Sequence, residues 1–399
     1  MRYDGPGLYV HVPFCSAICP YCDFAVLTGG AEKRARYVGD LVAEIAMYGG
    51  EWSEDGSGAI DLGAARVFDT IYLGGGTPSA LAPEELARIL GALRAALPVR
   101  ADAWVFCEAN PEDASADRVG AWRAAGVDTL SLGIQSFDAA ALLFLGRRHD
   151  PGQARRSVEL ARQAGFHTVS IDLIYGLPAG LPGATLASWR RDLEAAVEAA
   201  PDHLSCYQLT IHAGTPFGFR AARGEIGELP EPAQAELFRF THEFLADRGY
   251  FGYEVSSFAR SPDHQSRHNR KYWDHTPYLG LGPSAHSFSG RRRWWNERRL
   301  PAWSAKIAAG GRPVAGGEEL GGQELALEAL MLGLRTRAGV DLARFRVRYG
   351  IDLAARNDAL IDRLATEGLL EPVAGALIPS LHGLSVADSL ARAFELGDG

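Results

Sequence analysis

The spacing of hydrophobic residues at the start of the chain predicts a strand followed by a helix. Leu8, Val10 and Val12 alternate with more polar residues, which is typical of a strand, and Pro13 ends it. Over Lys33–Tyr48, apolar residues recur three and four positions apart, as they do along the buried face of an amphipathic helix. The chain therefore begins with one strand–helix unit, whose connecting loop contains three cysteines.

The strand–helix unit recurs along the next part of the chain. Further strands are predicted at Phe68–Leu73, Trp104–Cys107, Thr129–Ile134, Thr168–Ile174 and His203–Leu209. Helices are predicted between them, the clearest at Pro83–Leu97, Ser115–Ala125 and Ala184–Ala199, and a surface loop is predicted at Glu51–Gly63. Six units of about 30 residues are typical of a parallel sheet with crossover helices. This periodicity fits both a partial barrel and an open sheet.

The residues that follow the strands favour the barrel. Glycines and polar side chains come directly after each predicted strand, as in the segments 74–78 and 108–111 and at Gln135. In barrels of alternating strands and helices, the loops after the strands build the active site. We therefore expect the ligand-binding residues to meet at that end of the strands.

The remainder of the chain predicts two further regions. We assign residues 1–215 to the core and residues 216–310, with a helix at Pro230–Gly249, to the completion of the barrel. Gly310–Gly322 is rich in glycine and predicts a linker. Residues 311–399 predict three helices and two short β segments, at Leu325–Leu334, Leu342–Tyr349, Asn357–Glu367, Leu369–Val373 and Ala376–Pro379. This order resembles a winged-helix module, which we interpret as a lid or a docking surface.

Composition and charge exclude several classes of protein. The 399 residues are 47% hydrophobic, which suits a large α/β barrel with an appended domain. The net charge of −9 argues against general nucleic-acid binding, which usually needs a basic surface. No apolar run approaches the roughly 18 residues of a membrane span, and Met1–Gly7 does not resemble a signal peptide. Three of the five cysteines share one loop, unlike a secreted disulfide framework, so we expect a reducing, cytoplasmic location.

The loop after the first strand carries Cys15, Cys19 and Cys22, whose thiolates can close around one compact metal centre. A structural zinc site usually has four protein ligands, and no second cysteine pair follows here. Three cysteines on a [4Fe–4S] cluster leave one iron open for a ligand from outside the protein. The alternatives are a zinc site completed by His11 and a redox pair formed by Cys19 and Cys22.

The spacing Cys-x3-Cys-x2-Cys, with an aromatic residue before the last cysteine, resembles the cluster loop of the radical S-adenosylmethionine (SAM) superfamily. Between Leu8 and Ser287 the chain is similar to the oxygen-independent coproporphyrinogen III oxidase-like family, and within it to the heme chaperone branch. The motifs that carry the resemblance are YVHVPFC (9–15), GGGTP (74–78), EANP (108–111), SLGIQSF (131–137), LGRRH (145–149), DLIYGLP (172–178) and HNRKYW (268–273). The resemblance implies an α/β fold, a partial (β/α)6 TIM-type barrel with a C-terminal helical, winged-helix-like domain.

By this resemblance, Cys15, Cys19 and Cys22 ligate a [4Fe–4S] cluster whose open iron binds SAM. The residues assigned to SAM are Tyr9, Tyr21, Gly75, Gly76, Thr77, Glu108, Gln135, Arg147, Asp172 and Cys206. Tyr21 would flank the adenine, the glycines would let the backbone approach the methionyl amino group, and Arg147 would match a carboxylate. The alternatives are an ordinary turn for the glycines and a buried polar network for the carboxylates.

The HNRKYW segment resembles the motif that is associated with heme binding in the chaperone branch. His268 would be an axial ligand of the heme iron, and Tyr272 and Trp273 would stack on the porphyrin. The cations that could contact the propionates are Arg267, Arg270 and Lys271. The alternatives are that His268 is an ordinary surface residue, or that His264 or His275 takes the iron.

The resemblance implies a heme chaperone that delivers heme to hemoproteins of the respiratory chain, with an electron donor such as flavodoxin or ferredoxin. Peripheral membrane contact is compatible with this function, and no nucleic-acid partner is expected. The rival is an enzyme, a coproporphyrinogen III oxidase that decarboxylates propionates with a radical derived from SAM. That branch carries a further cysteine two positions after the third ligand and an N-terminal extension, whereas here Phe24 stands at that position and eight residues precede Tyr9. A third interpretation is a zinc-bound regulator that uses the C-terminal module.

Overall fold

The first half of the protein alternates strands and helices. A computed structural model describes residues 5–49 and 67–397, so the surface loop predicted at Glu51–Gly63 lies outside the described residues. The elements of this half are β1 (Gly7–Val12), α1 (Ala31–Tyr48), β2 (Phe68–Gly75), α2 (Pro83–Ala96), β3 (Val99–Ala109), α3 (Ala116–Ala124), β4 (Thr129–Gln135), α4 (Ala139–Phe144), α5 (Pro151–Gln163), β5 (Thr168–Tyr175), α6 (Leu186–Ala199) and β6 (His203–Gln208).

The second half adds strands to both edges of this unit and ends in a separate domain. The added elements are α7 (Pro216–Ala222), α8 (Glu231–Ala246), β7 (Phe251–Gly252), β8 (Ser257–Ala259), α9 (Asn269–Trp273), β9 (Tyr278–Leu281), β10 (His286–Ser289), β11 (Arg292–Asn296), α10 (Leu300–Ala308) and β12 (Val314–Glu319). The C-terminal domain comprises α11 (Gly322–Leu334), β13 (Val340–Asp341), α12 (Leu342–Tyr349), α13 (Leu353–Thr366), β14 (Leu370–Glu371), β15 (Ala376–Pro379), α14 (Leu381–Ser385) and α15 (Ala387–Ala393).

The main sheet is a partial barrel. Its strands lie in the order β12-β11-β10-β9-β1-β2-β3-β4-β5-β6-β8-β7, and those from β9 to β6 are parallel. The two edge strands, β12 and β7, do not pair with each other, so the sheet is not closed. Residues at the ends of β2 to β6 line a single cavity. A curved sheet brings these five strand ends around one space, whereas a flat sheet would set them in a row.

The parallel strands are buried because helices cover their outer face. Strand β2 is almost continuously buried, and Leu8, Val10 and Val12 of β1 have no exposed surface. Parallel sheets require such cover on the outside, since their crossover helices lie there. Helix α1 contributes Tyr37 and Leu41 to the same hydrophobic core, as the helical spacing of its apolar residues predicts. No helix among the described residues is long and apolar enough to span a bilayer.

The predicted linker at Gly310–Gly322 is wrong over Val314–Glu319. These residues form β12, which pairs antiparallel with β11. The strand lies at the edge of the sheet and is largely exposed, so it lacks the hydrophobic alternation by which strands are recognised in a sequence. Its glycines have a packing role, since a Cβ at Gly316 would lie 2.9 Å from the Trp295 ring.

The C-terminal domain contains the three predicted helices and two β segments in the predicted order, and it adds β13 between α11 and α12 and the helices α14 and α15 at its end. Its three short strands form the sheet β13-β15-β14, and its core includes Leu330, Leu334, Phe345 and Leu377. It contacts α9 and the segment after it. His275 Nδ1 lies 3.0 Å from the hydroxyl of Tyr349, which extends from the end of α12. The lid or docking role of this domain stays a prediction.

Helix α9 closes the end of the barrel at which β1 and β2 begin. Lys271 Nζ donates to Asp69 Oδ1 at 2.6 Å and to the Gly5 carbonyl at 2.5 Å. The other carboxylate oxygen, Asp69 Oδ2, accepts from the Gly5 amide at 2.7 Å. The side chains of Lys271 and Asp69 are 2% and 0% exposed, so water cannot replace either partner. The ion pair therefore links α9 to the first residues of both strands.

Replacing Lys271 with methionine is expected to destabilise the apoprotein by about 3–5 kcal/mol, because it leaves the Asp69 charge buried without its cation. Denaturant unfolding monitored by tryptophan fluorescence measures the effect. The double variant Asp69→Asn/Lys271→Met removes both charges and should recover part of the loss. A Lys271→Met protein that unfolds at the wild-type denaturant concentration would contradict this role.

Candidate cofactor site at the strand ends

The cysteine loop is anchored at both of its ends. The Cys15 amide donates to the Leu27 carbonyl at 3.0 Å, and the Leu27 amide donates to the Pro13 carbonyl at 2.8 Å. Within the loop, the Cys22 amide donates to the Cys19 carbonyl at 3.1 Å. These bonds hold the irregular cysteine loop directly after β1. The loop therefore lies on the side of the sheet where the other parallel strands end.

The three cysteine thiols are free, partly buried and face one cavity of about 430 Å³. Burial raises the pKa of Cys15 to about 11, and a hydrogen bond from Thr77 Oγ1 to Cys15 Sγ at 3.4 Å opposes this shift. The predicted residues that line the same cavity are Tyr21, Gly75, Gly76, Thr77, Glu108, Gln135, Arg147 and Asp172. The strand ends therefore bring together most of the side chains that the motifs singled out.

Tyr9 and Cys206 are not among the residues that line the cavity. Tyr9 lies deeper in the barrel, where its hydroxyl is 3.1 Å from His11 Nδ1. Cys206 belongs to the hydrophobic core outside the sheet, and its neighbours Tyr207 and Gln208 line the cavity. The alternation of side chains along a strand could have indicated this, because Cys206 shares a face with Leu204. Assignment of Tyr9 and Cys206 to SAM stays a prediction.

Several cavity residues lie within the sequence motifs but were not assigned to SAM. Asn110, Ser131 and Gly133 all line the cavity. Ser131 and Gly133 precede Gln135 by four and two positions, so a period of two places all three on one face of β4. That spacing was the signal that would have identified them.

The glycines after β2 permit a close approach between two chain segments. Gly75 has a φ of +109°, and a Cβ there would lie 2.5 Å from the His11 ring. A Cβ at Gly76 would lie 2.9 Å from the Val12 and Phe14 carbonyl oxygens. At Gly75, only glycine tolerates both the close approach of the His11 ring and the positive φ. The GGGTP motif therefore serves the packing of β2 against the start of the cysteine loop as well as the cavity wall.

Arg147 connects the cysteine loop to the opposite wall of the cavity. Its Nη1 donates to Cys19 Sγ at 3.4 Å, and its Nη2 donates to Asn110 Oδ1 at 2.6 Å and to the Gly133 carbonyl at 2.9 Å. Its Nε is buried and has no hydrogen-bond partner among the described residues. A partly buried guanidinium whose buried Nε–H is free suits an anionic group such as a carboxylate.

Two partly buried carboxylates form the wall of the cavity away from the cysteines. Glu108 accepts from the Tyr72 hydroxyl at 2.7 Å and from the Gly75 amide at 3.2 Å, and burial raises its pKa to about 7. Asp172 accepts from Ser131 Oγ at 3.4 Å, and burial raises its pKa to about 6. These acceptors suit a ligand that brings ribose hydroxyls or a positive charge.

The donor set fits an iron–sulfur cluster with SAM better than a single metal ion. Among residues 5–49 and 67–397, no three His, Cys, Asp or Glu side chains lie close enough to hold one ion. In a cluster each thiolate binds a different iron, so the sulfurs are farther apart than around one zinc ion. His11 is a poor fourth ligand, because its Nδ1 contacts the Tyr9 hydroxyl and its Nε2 contacts the Ala25 carbonyl at 3.0 Å.

His268 lies at the opposite end of the barrel from the cysteines. Its ring is completely buried, with Nδ1 at 2.9 Å from Thr70 Oγ1 and Nε2 at 2.9 Å from the Tyr272 hydroxyl. Burial lowers its pKa well below the ordinary value, so the imidazole is neutral. Trp273 is partly buried and packs near Tyr253, with ring centroids 5.9 Å apart.

The other candidates for heme contacts differ in how accessible they are. His264 is partly exposed, and its Nδ1 lies 2.9 Å from Thr168 Oγ1, whereas His275 is buried. Arg270 is exposed, and the Arg267 guanidinium lies 3.5 Å from the centre of the Trp104 ring. Lys271 is engaged by Asp69, as described above.

Comparison with known proteins identifies the family. The sequence pattern of the Radical SAM superfamily matches residues 9–196, and that of the HemN C-terminal domain matches residues 320–386. The heme chaperone HemW of Mycobacterium tuberculosis is 36% identical over 389 residues, which cover 97% of this chain and 94% of that protein. The chain belongs to the HemW family of radical SAM proteins.

Other proteins extend this relationship. HemW of Escherichia coli is 38% identical over 70% of this chain and 69% of its own length. The mitochondrial radical SAM domain-containing protein 1 of Mus musculus is 33% identical over 96% of this chain and 86% of its own length. Among solved structures, the E. coli coproporphyrinogen III oxidase HemN, a radical SAM enzyme, matches with a TM-score of 0.80 and 25% identity over 98% of this chain and 90% of that chain. Radical SAM proteins bind a [4Fe–4S] cluster and SAM, so these cofactors follow from membership of the HemW family.

We expect SAM affinity to rise with pH between about pH 5.5 and about pH 8. SAM carries two positive charges and one negative charge, and the carboxylates of Glu108 and Asp172 attract it only when ionised. Their raised pKa values leave them protonated at the lower pH. Calorimetric titration of the reconstituted HemW-family protein should show that SAM binds roughly tenfold more weakly at pH 5.5 than at pH 8.

The control for this titration is Glu108→Gln. It should bind SAM weakly at both pH values and lose much of the pH dependence. An affinity that does not vary with pH in the wild type would contradict an electrostatic role for these carboxylates.

Proposed function

We propose that this protein is a cytoplasmic heme chaperone that binds a [4Fe–4S] cluster, SAM and heme and delivers heme to hemoproteins of the respiratory chain. The observation that carries the proposal is the cavity in which three free thiols, a partly buried arginine and two partly buried carboxylates meet. Its relatives named heme chaperone HemW support the heme part, since they match nearly the whole chain.

Cys15, Cys19 and Cys22 would hold the cluster in this proposal. When bound, the cluster would supply one iron with an open position, which would accept the amino and carboxylate groups of SAM. Arg147, whose Nε has no hydrogen-bond partner within residues 5–49 and 67–397, would orient the SAM carboxylate. Glu108 and Asp172 would accept hydrogen bonds from the ribose hydroxyls and from the N–H groups of the iron-bound amine. Tyr21 lies in the loop between two of the thiols and would flank the adenine.

His268 would ligate the heme iron, with Tyr272 and Trp273 against the porphyrin. A neutral imidazole is the form that binds iron, but both ring nitrogens are engaged in the described conformation. Heme binding through His268 therefore requires α9 to move away from the start of β2. The cost of this movement includes separation of the buried Lys271–Asp69 pair. Exposed Arg270 would remain available for a propionate.

Coproporphyrinogen III oxidase is the second candidate function, and the similarity to the HemN structure favours it. The residue two positions after the third cysteine argues against it, since Phe24 has no ligand atom and its side chain is 66% exposed. Anaerobic incubation with SAM, a reductant and coproporphyrinogen separates the two functions. Vinyl product formed over many turnovers would support the oxidase.

The first test of the proposal is the iron content. After anaerobic reconstitution the wild type should bind about four irons per chain, because three thiolates retain one [4Fe–4S] cluster. The triple variant Cys15→Ala/Cys19→Ala/Cys22→Ala should bind almost none, whereas the matched variant Cys107→Ala should behave as the wild type, since Cys107 is a core thiol. Equal iron content in the triple variant would refute the cluster assignment.

The second test concerns heme. Hemin added to the protein should give a shifted Soret band, and His268→Ala should alter or abolish the shift while cluster and SAM binding persist. His264→Ala and His275→Ala serve as controls, because these histidines are the nearest alternatives in the chain. A His268→Ala spectrum and affinity identical to the wild type would remove His268 from the heme site.

A further inference from the structure

Helix α9, which carries most of the HNRKYW segment, lies between the barrel and the C-terminal domain. On the barrel side, His268 and Lys271 contact Thr70 and Asp69 at the start of β2. On the other side, α11 of the C-terminal domain packs beside α9. Two sets of contacts therefore hold this helix in place, and the second set comes from a domain that has a hydrophobic core of its own.

Arg348 and Tyr349, at the end of α12, hold the loop that follows α9. Arg348 Nη1 donates to the Asp274 carbonyl at 2.7 Å, and its Nη2 donates to the His275 carbonyl at 3.1 Å. The Tyr349 hydroxyl lies 3.0 Å from His275 Nδ1, and Glu328 of α11 lies 3.6 Å from the other ring nitrogen. One guanidinium thus binds two successive carbonyls, which fixes the path of the chain directly after α9.

His275 has a backbone conformation that these contacts explain. Its φ is +53°, which residues other than glycine rarely adopt. Such conformations persist where the surrounding contacts determine them. At His275, both the imidazole and the carbonyl oxygen are bound by the C-terminal domain. Loss of these contacts would therefore let the loop relax and would loosen the end of α9.

The C-terminal domain also binds a second segment beside α9. The Val255 amide donates to the Arg335 carbonyl at 3.1 Å, and the Arg337 amide donates to the Tyr253 carbonyl at 3.0 Å. These two bonds form a short antiparallel bridge between the segment before β8 and the turn after α11. The bridge fixes the position of Tyr253 relative to the C-terminal domain.

Tyr253 connects this bridge to both ends of α9. Its hydroxyl accepts from the Ser266 amide at 3.2 Å, and its ring lies beside Trp273, with ring centroids 5.9 Å apart. Ser266 Oγ in turn accepts from the amide of Asn269, the first residue of α9, at 3.3 Å. The contacts before and after α9 therefore both depend on the position of the C-terminal domain.

The C-terminal domain and the barrel have separate hydrophobic cores. The core of the domain, which includes Leu330 and Phe345, shares no residue with the core of the barrel. A small apolar cluster of Phe288, Leu320 and Leu325 joins the two parts, and α14 contacts α8. Domains that keep separate cores and meet partly through polar contacts commonly move relative to each other.

We infer that the C-terminal domain is a latch that keeps α9 closed on the barrel and must release it before the HNRKYW segment can bind heme. The inference rests on the proposed function, because that function assigns heme to this segment. A ligand that binds only an open form has its apparent affinity reduced by the small fraction of open protein. The contacts of the latch therefore weaken heme binding, and their removal should strengthen it.

The test compares the double variant Arg348→Gln/Tyr349→Phe with Arg344→Gln in the full-length, reconstituted protein. The double variant removes the hydrogen bonds to Asp274 and His275 but keeps the aromatic ring that packs on the small apolar cluster. Arg344 is exposed one turn earlier on the same helix and is the matched control. Hydrogen–deuterium exchange with mass spectrometry measures opening without heme, and hemin titration measures binding.

We expect residues 266–276 of the double variant to exchange about tenfold faster and hemin to bind about tenfold more tightly, because three hydrogen bonds of the closed form are lost. Residues 253–257 and 335–337 should also exchange faster, although the substituted side chains are not hydrogen-bonded to them, because the latch releases both segments together. Helix α1 should exchange as in the wild type, which excludes general unfolding. Arg344→Gln should stay within about twofold of the wild type in both measurements.

Exchange that rises only at residues 274–276, or nowhere, would overturn the latch. Faster exchange in both segments without tighter hemin binding would overturn its control of heme uptake. A wild-type protein that binds no hemin would instead refute the heme part of the proposed function.

Discussion

The pairing of β1 between two parallel strands is the constraint on which the cofactor site depends. Leu8 pairs with Ile71 of β2 on one side and with Leu279 of β9 on the other. The side chains of Leu8, Val10 and Val12 are fully buried in the core, so a shift of register would move them to the other face of the sheet. The cysteine loop follows directly, and its position relative to the ends of β2 to β6 is therefore determined by β1.

A buried carboxylate, Glu44, links this central strand region to the strands added by the second half of the chain. It accepts from the Gly282 amide at 2.7 Å, from Asn296 Nδ2 at 2.6 Å and from Trp303 Nε1 at 3.2 Å. These donors come from the loop after β9, from β11 and from α10, whereas Glu44 lies on α1. The second half of the chain is thus an integral part of the barrel wall.

The two ends of the barrel have different chemistry. At the end of the strands, polar groups that can still form hydrogen bonds line an open cavity. Such a cavity suits cofactors. At the start of the strands, His268 and Lys271 are enclosed and fully hydrogen-bonded within the protein. A site of the first kind binds a ligand without rearrangement, whereas one of the second kind must open first. The proposed heme function therefore couples ligand binding to movement of α9.

The sequence predicted the parallel strands and the cysteine loop correctly, because buried strands produce hydrophobic runs and the motifs are local. It did not predict β12, whose glycines and exposed positions carry no such signal. It also did not indicate that Lys271 is buried, since a lysine between arginine and tyrosine resembles a surface residue. Its partner Asp69 lies 202 positions earlier, and no local pattern shows a contact of that range.

Mössbauer spectroscopy of protein reconstituted with iron-57 tests the central claim most directly, because it observes each iron of the cluster. If Cys15, Cys19 and Cys22 hold a [4Fe–4S] cluster with one open iron, addition of SAM should change the parameters of about a quarter of the iron signal. The remaining signal should keep the parameters of thiolate-bound iron. A spectrum in which SAM leaves all the iron unchanged would contradict the account.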